Sequence, residues 1–173
     1  MAPEIVELKP VAHITADAIG EPGSRVFYIQ ARKEAQVVTL QAEKEQIRAL
    51  AIGVEELLEQ IEAEHGRGRD DEETVSPYDL LLKEPLEPIF RVGQMGLGYD
   101  QDEDLLVLII QELVAEGSES GLVVRFWATR GQMRALSNHA QMVVKSGRPT
   151  CPLCGQPIDP TGHFCPSSNG HHR

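Results

Sequence analysis

Residues 38–50 read VTLQAEKEQIRAL and residues 124–136 read VRFWATRGQMRAL, so that Val, Ala, Gln, Arg, Ala and Leu recur at six of thirteen positions, offset by 86. Composition alone gives about one match in such a window. The agreement extends to structure type. In both places an alternating apolar segment, VVTLQ or LVVRFW, runs straight into a segment with helical spacing. A strand feeding a helix is therefore expected twice.

Upstream of each helix the order is again the same. VAHITADAI, RVFYIQAR and QVVTLQ read as three strands joined by the turns GEPGS and KEA. PIFRVGQMGLGY, LLVLIIQEL and GLVVRFWA read as three more, joined by the acidic turn DQDED and the loop VAEGSES. A helix from about Lys44 to Glu64 puts Ile47, Leu50, Val54, Leu57, Leu58 and Ile61 on one face; one from about Gly131 to Lys145 does the same with Met133, Leu136, Ala140, Val143 and Val144. The expectation is an α+β fold of two pseudo-repeated β-β-β-α halves, about residues 4–64 and 86–146, sharing one core. Three strands and one helix alone would leave too much apolar surface in water. Residues 65–77, HGRGRDDEETVSP, read as a polar linker in which Asp70 to Glu73 form a solvated loop. Residues 1–146 are thus expected to form the α+β domain and residues 147–173 a small zinc-binding module.

A chain of 173 residues, 41% hydrophobic and 25% charged, suffices for one packed domain and an appendage. Its net charge of −11 argues against nucleic acid or an anionic membrane as a partner, because both attract basic patches. No run approaches membrane-spanning length, and MAPEIVELKP has neither a basic region nor an apolar signal core, so a cytoplasmic location is expected. Three cysteines, two of them close together, do not suit a secreted disulfide framework.

All three cysteines fall in CPLCGQPIDPTGHFCPSSNGHHR at the end of the chain. Cys151 and Cys154 flank a tight turn, and Gly155 lets backbone amides approach the sulfurs, as in tetrahedral zinc knuckles. His163 and Cys165 supply the second pair, giving Cys-x2-Cys-x8-His-x-Cys; His171 is the substitute if the tight His-x-Cys spacing cannot place both side chains on the metal. Three thiolates and an imidazole favour Zn2+, and four protein ligands leave no open position for substrate, so the zinc is expected to be structural. Leu153, Ile158 and Phe164 are the tail's only large apolar side chains, too few to offset the entropy of ordering it. Zinc contributes on the order of 10 kcal/mol to such a module. A redox Cys-x-x-Cys lacks its βαβ context here.

Catalytic motifs fit less well. A zinc deaminase needs His-x-Glu before its Cys-x-x-Cys, and here His139 is followed by Ala140 and Gln141, which cannot shuttle a proton. His139 reads as an ordinary helix residue. Asp100, Asp102 and Asp104 resemble a calcium loop, but Leu105 stands where glycine is needed and Gln111 where glutamate is, so a hairpin turn is expected. Gly93, Gly96 and Gly98 lie in a strand with no helix after them and suggest a bulge or close packing. His13 and Trp127 read as structural.

GEPGSRVFYIQA, FRVGQMGLGYD and GRPTCPLCGQPIDPTGHFCPSSNG together resemble a bacterial family catalogued as domain of unknown function 3090, over nearly the whole chain. The family motif resembles CP-x-CG-x-P-x-DP-x-GH-x-CP-x-x-NG, onto which Cys151, Cys154, His163 and Cys165 map; Ser167 stands where the family carries arginine. The resemblance implies the metal ligands and no reaction. The expected function is that of a noncatalytic zinc-binding protein, an adaptor or regulatory module for a protein partner, with no catalytic residue assigned. The alternative is an enzyme or a small-ligand or anion-binding protein with a site between the halves, contacted by Arg25, Arg91, Arg125 or Arg134. Arg48 and Arg134 occupy equivalent repeat positions, where ion pairs that hold the fold are expected.

Overall fold

A computed structural model describes residues 4–21, 23–67, 74–118 and 121–146. Seven strands, β1 (Ile5–Leu8), β2 (His13–Ile19), β3 (Val26–Lys33), β4 (Gln36–Ala42), β5 (Pro88–Asp100), β6 (Leu105–Glu112) and β7 (Val123–Ala128), accompany two helices, α1 (Lys44–His65) and α2 (Arg130–Lys145). The fold is a mixed α+β structure. Six strands and both helices lie where the hydrophobic pattern puts them, in the order β2-β3-β4-α1 and β5-β6-β7-α2.

Three features depart from the pattern. β1 is a further strand, and Pro77–Leu80 forms a 3-10 turn that begins inside the expected linker. α1 runs one residue past its expected end, to His65. The acidic run Asp70 to Glu73 lies outside the described residues, as does the whole tail.

All strands belong to one sheet, in the order β1-β7-β6-β5-β4-β3-β2. The meanders β2-β3-β4 and β5-β6-β7 are antiparallel, and they join through the parallel pair β4 and β5. β1 pairs in parallel with β7, from Ile5 opposite Val123 to Leu8 opposite Phe126. The sheet must curl. Laid flat, its outermost strands would sit about 29 Å apart, at roughly 4.8 Å per strand. Yet β1 and β2 are those outermost strands, and the five steps from Leu8 to His13 reach no more than about 18 Å. Closure shows directly in the backbone, where the Val11 amide donates to the Trp127 carbonyl of β7 at 2.8 Å.

The inner face carries one hydrophobic cluster with members from both meanders and both helices, including Ile29, Leu40, Leu106, Leu108 and Phe126. α1 buries Ile47, Leu50, Ala51, Val54, Leu58 and Ile61, with Leu57 packed at the margin. α2 buries all five residues its apolar stripe predicts. Each helix starts in a comparable way. Gln46 Oε1 accepts from the Glu43 amide at 2.8 Å, and Gln132 Oε1 from the Thr129 amide at 2.9 Å. The other end of each glutamine amide reaches backbone outside its own meander: Gln46 Nε2 donates to the Val92 and Gly93 carbonyls of β5 at 3.0 and 3.1 Å, Gln132 Nε2 to those of Val11 and Ala12, just before β2, at 3.3 and 3.1 Å. Where the helices meet, Ser137 Oγ donates to the Ala51 carbonyl at 2.7 Å and Gln141 Nε2 to Glu55 Oε2 at 3.2 Å. Both pairs are 86 residues apart.

Candidate functional site

Each helix lies against the first strand of a meander, and the two seams differ. α2 packs closely on β2. His139 Nε2 comes within 3.3 Å of Asp17 Oδ1, both side chains mostly buried, and Arg25 Nη1 donates to the Val143 carbonyl at 3.4 Å near the end of α2. An arginine there faces the negative end of the helix dipole.

α1 sits less tightly on β5. Gly53 stands 86 residues before His139, and a β-carbon on Gly53 would meet only Leu97 Cδ1, at 3.2 Å. A β-carbon on Gly96 would meet nothing within 4 Å. Between them opens a groove of about 470 Å³, lined by Glu45, Gln46, Ala49, Leu50, Gly53, Met95, Gly96, Leu97 and Leu108. Its lining is mostly apolar, and its one charged residue, Glu45, is already paired with Arg48.

Where α1 ends against the β5-β6 hairpin, the chemistry becomes polar. Arg130, 3% exposed, donates from Nε to Asp104 Oδ1 at 2.8 Å, from Nη1 to the Gly66 carbonyl at 2.7 Å and from Nη2 to the Tyr99 hydroxyl at 3.2 Å. The Tyr99 hydroxyl donates to the same Asp104 oxygen at 2.7 Å, and the His65 ring lies 5.4 Å from that of Tyr99. Asp104 has φ 55, a left-handed conformation that aspartate tolerates better than most residues. Burial, with the hydrogen bond to Asp104, pushes the Tyr99 phenol above its usual pKa, although Arg130 pulls it back. Burial also opposes the charge on Arg130, but Tyr99 and Asp104 outweigh it and hold the guanidinium protonated more firmly than usual. These hydrogen bonds tie α1, α2 and the hairpin together, beside a cavity lined also by Glu64, Arg67, Gln101 and Asp102.

The residues singled out from sequence are dispersed. Arg91 faces Glu43 at 3.7 Å and Arg125 faces Glu7 at 3.7 Å, Arg25 holds the end of α2, and Arg134 lies on α2. None of the four lines the groove. Arg48 pairs with Glu45 one turn away on an exposed face, worth only a few tenths of a kcal/mol. His13 Nδ1 lies 3.3 Å from Asp79 in the 3-10 turn, and Trp127 donates to Glu7 at 2.8 Å under the Lys9 ammonium. Gly93 answers to a β-bulge between Val92 and Met95, where a β-carbon would press on the Gln111 and Glu112 carbonyls and the Leu113 backbone at 3.1 to 3.2 Å. Cys151, Cys154, His163, Cys165 and His171 lie outside the described residues. Among the described residues no group of three or more His, Cys, Asp or Glu is placed to hold a metal, and no helix is long and apolar enough to cross a membrane.

Sequence reasoning missed the knot and the groove. For Arg130 a signal existed. A cation in the first turn of a helix meets the positive end of the dipole, and so needs an acid from elsewhere. For the groove there was none, since Gly53 and Leu97 meet only in three dimensions.

Curled sheet, paired helices and unequal seams define a mixed α+β protein with an apolar groove between one helix and the central strands. The family model described as protein of unknown function (DUF3090) matches residues 6–165, and the chain belongs to that family. No curated protein and no solved structure matches it.

Proposed function

We propose that the chain is a noncatalytic zinc-binding protein of the bacterial cytoplasm, an adaptor or regulatory module. Its two pseudo-repeated β-β-β-α halves form a rigid body, and its C-terminal segment is a zinc knuckle offered to a protein partner. The observation that carries this reading is the ligand spacing at the end of the chain. The family match runs to residue 165, so Cys151, Cys154, His163 and Cys165 lie within it while His171 falls beyond. That favours His163 as the imidazole ligand. A four-ligand set leaves zinc no open position, which suits a structural metal rather than a catalytic one.

The pseudo-repeat draws support from the helix pair. Residues with the same place in the two halves, Ala51 with Ser137 and Glu55 with Gln141, touch each other, as expected about a local twofold axis. The two glutamines at the helix starts, Gln46 crossing to β5 and Gln132 to the residues just before β2, favour the same relation.

Native mass spectrometry with zinc quantification tests the reading. Protein purified under reducing conditions is expected to carry one zinc per chain, lost in Cys151→Ser and in Cys165→Ser; metal-free protein would sink it. A second reading, a small-ligand site between the halves, has the groove in its favour. The apolar lining would take an uncharged molecule rather than an anion, and the same spectra would reveal one that co-purifies.

A further inference from the structure

We propose that the groove between α1 and β5 is the docking site of the chain's own C-terminal segment, residues 147–173, which seats an apolar side chain there, Phe164 foremost. This goes beyond the adaptor reading and stands whether or not zinc is bound.

Four observations carry it. First, the described chain stops at the end of the molecule where α1 begins, and the start of α1 heads the groove. Val143, in the last turn of α2, is held by Arg25. Arg25 shares a cavity with Glu43 and Lys44, the residues that lead into α1, and Glu45 and Gln46 head the groove. Second, the segment can reach: Phe164 follows Ser146 by 18 residues, about 60 Å when extended without metal, and a closed zinc knuckle would hang on the five steps from Ser146 to Cys151, about 18 Å. Third, charge does not oppose the contact. Arg148 and Arg173 against Asp159 give the metal-free segment a net +1, so the −11 of the whole chain leaves −12 on residues 1–146. Three thiolates on Zn2+ would bring the segment to neutral, which an acidic body still does not repel. Fourth, each side lacks what the other has. Leu153, Ile158 and Phe164 are too few to build a core of their own, while Met95 and Leu97 stand only partly covered in the groove, over the buried Leu50 and Leu108.

Tethering makes the contact effective. A segment joined to its site by a flexible link has a local concentration in the millimolar range, so one or two buried side chains suffice where a free partner would need a larger interface. A partner that takes up the zinc module must then compete with the groove.

The test uses the full chain labelled with 4-fluorophenylalanine. Only four phenylalanines are present, and Phe27, Phe90 and Phe126 are buried in the core, so Phe164 is the one in question. Phe164→Leu assigns its resonance. The expected result is a Phe164 signal away from the free-peptide position with a small H2O/D2O isotope shift. In Gly96→Trp, which plugs the groove from a position with open space around it, that signal should move to the exposed position while the other three stay put. If the Phe164 signal is exposed in the wild type, the docking claim fails. It fails equally if Phe164 is shielded but indifferent to Gly96→Trp, since the tail then folds on itself, or if shielding falls on dilution, since the occupant is then a second copy. A co-purified small molecule in the groove would also overturn it. Zinc content, measured on the same samples, scores the adaptor reading separately.

Discussion

α2 on β2 and α1 on β5 are comparable joints, a helix against the first strand of a meander, with different contents. One is filled by His139 reaching for Asp17 and held by Arg25; the other has Gly53, 86 residues before His139, and opens into a groove. Their shared part is the crossing glutamine at the start of each helix, three hydrogen bonds in each case. Shared contacts are thus the ones that fix where a helix starts relative to the sheet. What differs lies further along, where one seam can be opened without unseating the helix. Close packing and access are divided between the two joints.

The largest way to break the comparison is at the knot that closes the far end of the open seam. Asp104→Ala leaves Arg130 buried without its carboxylate and is expected to cost about 3–5 kcal/mol in urea unfolding, because an uncompensated buried charge is worth that much. Next come the shared glutamines. Gln46→Ala and Gln132→Ala should each destabilise by about 2 kcal/mol, since each leaves two backbone carbonyls and a helix-cap amide without that partner at once. A large disparity between them in the same unfolding experiment would mean that the joints are not equivalent even at their base. The third prediction has the opposite sign. Gly53→Ala should stabilise by about 0.5–1 kcal/mol, because it removes a glycine from a helix interior and Leu97, facing the groove, has room to yield. Measured destabilisation there would show that the open seam is packed more tightly than its geometry implies.

The smallest effect concerns pH. The phenol of Tyr99 is raised above the usual value near 10. Between the unfolded and folded values the native state keeps a proton that the unfolded chain loses. Stability from this group is therefore complete below about pH 10 and is lost as pH rises through the folded value. Ultraviolet titration should show the latest-ionising tyrosine component vanish in Tyr99→Phe, and the slope of stability against alkaline pH should flatten with it.

Six strands and both helices were legible in the sequence because their determinants are local. Alternation in QVVTLQ and LVVRFW, and 3.6-residue spacing from Ile47 to Ile61, are read within a dozen residues. β1 was not, for IVEL is short, sits at the edge of the sheet and gains its regularity from β7, far along the chain. DQDED was correctly a turn, yet nothing in it says that its last aspartate serves an arginine 26 residues on. Glycine triplets in β5 announced a bulge, which Gly93 supplies, but the space beside Gly96 depends on where α1 lands. The proposed zinc ligands are read from spacing alone, and they lie outside the described residues.

The pairing of β1 with β7 also sets a timetable. Ile5 lies opposite Val123, 118 residues later, and a ribosome adding about 5–20 residues per second needs roughly 6 to 24 s to cover that span. β1 is therefore made well before the strand it pairs with. Through that interval the β2-β3-β4-α1 half can form its own local contacts, while the closing of the sheet waits until β7 has been made.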